Sequence, residues 1–137
     1  MGLITVLYWV YRGIVKTVSL LPYSLVLAIG RMLGVLYYLL IKKQVNLARD
    51  AICRHLMVSR EKAGEITKAM CRNIGMTFME ILYMPALNPA NIRRFVKLER
   101  EDLLREAIAE KKGVVMLAIH MDNWEWLGAA LSLYGYP

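Results

Sequence analysis

The sequence predicts an α/β fold in which an all-helical arm precedes the first part of a sheet. Up to Met84 the apolar side chains recur at helical spacing, whereas residues 95–99 and 114–119 are short β-rich runs, each followed by a segment of helical period. Strand, helix, strand, helix is the order that builds a sheet with helices against its faces. Two strands are too few for a self-supporting core, so the fold is expected to be the N-terminal part of a larger one.

Residues 3–41 are almost continuously apolar, yet Arg12, Lys16 and Arg31 interrupt them. The longest uncharged run, residues 17–30, falls short of the roughly 20 residues that a bilayer-crossing helix needs. Two modes of anchoring stay open. Residues 17–41 cross with Arg31 snorkelling or paired, or Pro22 starts a helix lying in the interface, with Tyr8, Trp9, Tyr11, Tyr37 and Tyr38 at headgroup depth. A buried hairpin of two helices is the alternative. A secretory signal fits poorly, because the basic residues lie inside and after a long apolar run and no small-residue cleavage site follows.

From Lys42 to Met57, Val45, Ala48, Ile52 and Leu56 mark one helical face. Ser59 is the expected N-cap of a second helix reaching Met84, with Ile66, Met70, Ile74, Phe78 and Ile81 or Leu82 as its inward stripe. Met70, Met76, Met79 and Met84 read as core at that spacing. Pro85 and Asn88-Pro89 end the region. Residues 95–99 form the first expected strand, and residues 101–112 a helix that Gly113 caps. Residues 114–119 are a continuous apolar run, expected to be a strand covered on both faces, and an apolar helix follows over 123–134. The expected organisation is a membrane-associating helical anchor over 1–41 and a mixed domain over 42–137.

Composition supports the anchor: hydrophobic residues make up 58% of the chain, above the usual share of about 45–50%. The formal charge of +7 suits either nucleic-acid phosphate or anionic lipid. Its placement decides. Arg12, Lys16, Arg31, Lys42, Lys43, Arg49 and Arg54 flank the apolar region, and no basic cluster is interleaved with base-stacking aromatics, which excludes a nucleic-acid binder. Cys53 and Cys71 lack metal-ligand spacing and a disulfide pattern, so no metal is expected and both thiols are expected to be reduced.

Chemistry concentrates in VVMLAIHMDNWEWLG, residues 114–128. His120 stands at the carboxyl end of the expected strand, where open α/β sheets gather ligands. An imidazole acts as a general base near neutral pH, and a carboxylate on its other nitrogen fixes the tautomer. Glu125 reaches back to His120 only if a turn intervenes, and Asp122 and Asn123 supply turn chemistry. The competing reading is a capping box, Asp122-x-x-Glu125, in which the glutamate serves only the helix end.

The block HMDNWE resembles the His-x4-Asp/Glu motif of glycerolipid-type acyltransferases, and more narrowly the His-x-Gly-Asn-Trp-Glu form of the bacterial lipid A late acyltransferases. KKQVNLARDAICRHL, CRNIGMTFMEILYMP and KKGVVMLAIHMDNWEWLGA resemble the same family's basic helix, next helix and central strand, so the resemblance spans residues 3–137. It implies a membrane-associated O-acyltransferase at the cytosolic face of the inner membrane. A fatty acyl group would pass from an acyl-carrier-protein or coenzyme A thioester to a lipid hydroxyl, on a lipid A precursor or related glycolipid, with no cofactor besides the donor. His120 is then the general base and Glu125 its orienter, while Asn123 and Trp124 shape the turn. Asp122 stands where the family commonly has Gly, and Ile119 where it often has a small residue. The family's acceptor-binding and oxyanion-stabilising blocks are expected beyond Pro137. A truncated, non-catalytic membrane-anchored relative is the rival expectation.

Overall fold

The computed structural model describes residues 2–119 and 121–136. Its elements are α1 (Leu3–Ser19), α2 (Tyr23–Leu40), α3 (Lys42–Leu56), α4 (Arg60–Tyr83), a 3-10 turn (Met84–Ala86), α5 (Ile92–Phe95), α6 (Glu101–Ala109) and α7 (Trp124–Leu133). They fall into two compact units, Met1–Ala86 and Leu87–Pro137.

In the first unit α2 and α4 run antiparallel in close contact, because glycine meets backbone at their crossing. A Cβ on Gly30 would lie 2.7 Å from the Gly75 carbonyl oxygen, and one on Gly34 would lie 2.2 Å from that of Cys71. Near the other end of the pair the Tyr23 hydroxyl donates to the Glu80 carboxylate. So close an approach admits only small side chains between the axes. Accordingly α4 buries Ala63, Thr67, Cys71 and Gly75, with Met79, Leu82 and Tyr83 beyond them, and the Thr67 hydroxyl is satisfied by the Ala63 carbonyl at 2.7 Å. This corrects the expected stripe. Ile74 and Phe78 are 57% and 56% exposed, since they stand one residue, about 100° of helix, off the small-residue face. Of the methionines, Met79 is core and Met70 is exposed.

Helix ends follow the sequence signals. Pro22 sits at the N-cap of α2. The Ser59 hydroxyl accepts from the Lys62 amide at 3.2 Å to cap α4, and Met57 takes the left-handed conformation that ends α3.

In the second unit the sheet expectation fails: the described residues contain helices and irregular segments but no strand. The Asn88 side chain accepts from the Ala90 and Asn91 amides at 3.0 and 3.2 Å, and Asn91 returns a bond from the Asn88 amide at 2.8 Å. That turn feeds α5, so Phe95 closes a helix rather than opening a strand. With no neighbouring ladder at 95–99, residues 114–119 have nothing to pair with and stay irregular. A strand's backbone groups are satisfied only by another strand, so an apolar β-rich run alone does not make one.

What holds this unit is aromatic and ionic. Phe95 meets the buried Trp126 edge to face at 5.9 Å. The Tyr134 hydroxyl donates to the Val96 carbonyl at 2.6 Å, and the Arg93 guanidinium lies over the Tyr134 ring at 4.1 Å. Glu101 gathers Arg93 at 3.2 Å, Arg105 at 2.9 Å and the Tyr136 hydroxyl at 2.7 Å. Those three donors hold its carboxyl down at about 2.

Candidate functional site

The segment carrying the motif leaves α6 through two left-handed residues, Lys111 at φ 55° and Gly113 at φ 81°. Lys111 rather than Gly113 closes the helix, its amide bonding the Ile108 carbonyl at 3.1 Å. Residues 114–119 are all exposed, with the period-two alternation of a strand: Val115 and Leu117 are 98% exposed, Val114 and Met116 less than half. The less exposed side faces an apolar cavity of about 370 Å³ bounded by Leu104, Ile108 and Leu131. The expectation that both faces are covered is therefore overturned.

His120 lies outside the described residues. Among its described neighbours, the Met121 amide bonds the Ile119 carbonyl at 2.8 Å, and Asp122 is left-handed at φ 51°. Asn123 follows as the N-cap of α7, its side-chain oxygen accepting from the Trp126 amide at 3.2 Å. Capping thus belongs to Asn123 and not to Asp122, and this displaces the Asp122-x-x-Glu125 box. With the cap at Asn123, the glutamate occupies the second helical position and not the third, from which a capping-box side chain returns.

Glu125 is half-buried in the first turn of α7, where the helix dipole favours a carboxylate. It makes no hydrogen bond to another described residue. Trp124 is 42% exposed beside it, while Trp126 is buried against Phe95. The helix start therefore holds Glu125 by its backbone and leaves the carboxylate uncommitted. Two features went unread in the sequence: Asn123 as the cap, which its place directly before Trp-Glu-Trp signals, and the Glu101 cluster, whose partners Arg93 and Tyr136 are too far apart in the chain to suggest one another.

The family model described as bacterial lipid A biosynthesis acyltransferase matches residues 2–137. The chain belongs to that family. No curated protein and no solved structure matches it. The lipid A biosynthesis acyltransferases are acyl-transferring enzymes, acting with an acyl donor and a lipid acceptor. The residue before Asn123, Asp122, holds a left-handed backbone that glycine adopts freely and that aspartate is among the few side chains to tolerate.

Proposed function

We propose that the chain is a membrane-associated O-acyltransferase in which His120 is the general base and Glu125 orients it. The acceptor's hydroxyl oxygen attacks the carbonyl carbon of an acyl thioester while His120 takes the hydroxyl proton. The tetrahedral intermediate collapses with cleavage of the C–S bond, and the imidazolium returns its proton to the departing thiolate. Ester and free thiol are the products. A carboxylate on the far imidazole nitrogen stabilises the imidazolium between these steps.

The observation that carries this reading is the uncommitted Glu125 carboxylate, five residues after His120 and freed from the cap by Asn123. The donor is an acyl-carrier-protein or coenzyme A thioester, the acceptor a lipid A precursor or related glycolipid, and the setting the cytosolic face of the inner membrane. Lys42, Lys43 and Arg49, at the start of α3 and along it, favour anionic headgroups by about 1 kcal/mol each. One observation favours a second reading. Residues 114–119 lie uncovered where the sequence predicts a buried strand, which suits a non-catalytic, membrane-anchored relative. Transfer from labelled acyl-carrier protein and acyl-coenzyme A to a lipid A precursor separates them. Turnover in the unaltered chain that falls at least 100-fold in Glu125→Ala supports the enzyme, and absence of turnover with either donor supports the second reading.

A further inference from the structure

Two features of the first unit bear on how it meets lipid. Residues 1–86 carry eleven Lys and Arg against four Asp and Glu, whereas 87–137 carry seven of each, so the whole excess of +7 lies in this unit. The first acidic residue is Asp50. The unit also exposes its apolar side chains, with Leu3, Ile4, Leu7, Trp9 and Val10 of α1 all more than half exposed.

α2 has the length and hydropathy of a crossing helix, but it does not stand alone. α4 packs along it from Tyr23 and Glu80 at one end, through Gly30 and Gly75, to Gly34 and Cys71. If α2 crossed, α4 would enter with it, bringing Lys68, Arg72 and Glu80. Arg31 and Arg72 already share one shallow groove midway along the pair. Each ionised side chain at mid-bilayer disfavours insertion roughly a hundredfold, and Arg31 and Arg72 would both lie there. α1 spans about 25 Å at the helical rise, short of the hydrocarbon thickness, and carries two cations.

Those cations line a groove of about 610 Å³ between α1 and Pro85, with Trp9 and Ser19 also in its walls. The Arg12 guanidinium donates to the Tyr8 hydroxyl at 3.1 Å, and neither Arg12 nor Lys16 forms an ion pair with another described residue. Two unpaired cations one turn apart, beside an interfacial tryptophan and an apolar helix, match a phosphodiester whose acyl chains continue into lipid. A second copy of this unit matches less well, because neither α1 nor α2 offers an acidic side chain to meet Arg12 and Lys16.

We propose that residues 3–86 form a monotopic module docked on one leaflet, with no helix crossing, in which Arg12 and Lys16 hold the phosphate of an anionic phospholipid. The proposal rests on the membrane association assigned above and fixes its mode. The test uses the full chain with Cys53→Ser and Cys71→Ala, carrying a single new cysteine as Ser24→Cys at the start of α2 or Gln44→Cys just beyond its end. The chain is bound to sealed vesicles of phosphatidylcholine, with or without phosphatidylglycerol, and an impermeant maleimide is added outside. Labelling of both positions is expected. Arg12→Gln with Lys16→Gln is expected to weaken binding to phosphatidylglycerol vesicles roughly 30-fold and to leave binding to neutral vesicles unchanged. Protection of one position alone means that α2 crosses and overturns the proposal. So does unchanged affinity of the double variant, or release by inorganic phosphate at constant ionic strength, which points to a free-anion site. Failure to bind any vesicle removes the membrane reading itself, an outcome distinct from these.

Discussion

Gly34→Ala is expected to destabilise the first unit even though alanine is the better helix former. The new Cβ would sit 2.2 Å from the Cys71 carbonyl oxygen and 2.7 Å from the Arg72 Cα. Ordinary contact begins near 3.4 Å, so α2 and α4 must separate by about 1 Å, since both obstructing atoms are backbone. A gap of that size forfeits roughly a quarter to a half of the dispersion between facing atoms. Overpacking of this kind costs about 3 kcal/mol, and the gain in helix propensity returns about 1. The net loss of about 2 kcal/mol lowers the melting temperature by about 10 °C for a unit of this size. Gly13→Ala is the matched control. It lies within α1 with nothing inside 4 Å of the new methyl, and is expected to stabilise by about 0.5–1 kcal/mol. Thermal unfolding followed by circular dichroism in mild detergent reads both. A Gly34→Ala chain that melts at or above the unaltered one would refute the close crossing of α2 and α4.

The second unit is expected to loosen in acid through Glu101. Its folded carboxyl titrates at about 2, below the ordinary 4.5, so its contribution is complete above about 4.5 and lost as pH falls towards 2. Glu101→Gln should flatten that part of the stability profile, and an unchanged profile would deny the cluster its role. Asp122→Gly should stabilise by about 1 kcal/mol by relieving a left-handed aspartate, and a loss of stability in chemical denaturation would argue against that backbone. Burial pushes the Cys71 thiol up and shields it between α2 and α4, so Cys53 should react with maleimide first and Cys71 only on unfolding. Equal rates would show that the crossing is open.

Local signals were the legible part of this fold. Ser59 and Asn88 accept from nearby backbone amides and Pro22 fixes its own φ, so the starts of α2 and α4 and the turn before α5 could be found without tertiary knowledge. The inward face of α4 was not legible, because periodicity marks the largest apolar stripe, Ile66 to Ile81. The structure chooses the small one beside it for the sake of Gly30 and Gly34. Residues 114–119 mislead in the opposite way: their composition and alternating exposure belong to a strand, yet pairing depends on a partner that residues 95–99 do not supply. At the motif, the spacing of Asp122 and Glu125 marks Asp122 as the cap, whereas Asn123 takes that place. The backbone, left-handed at Asp122 and helix-leading at Asn123, separates them and leaves the Glu125 carboxylate outside the cap.

Transfer of a labelled acyl group from a thioester to a lipid A precursor, compared between the unaltered chain and His120→Ala, bears most directly on the proposed chemistry. General-base catalysis is worth about 100-fold to 10,000-fold. Turnover in the unaltered chain that falls by that factor in His120→Ala, with lipid binding preserved, is the predicted result. Equal turnover in the two chains would contradict it.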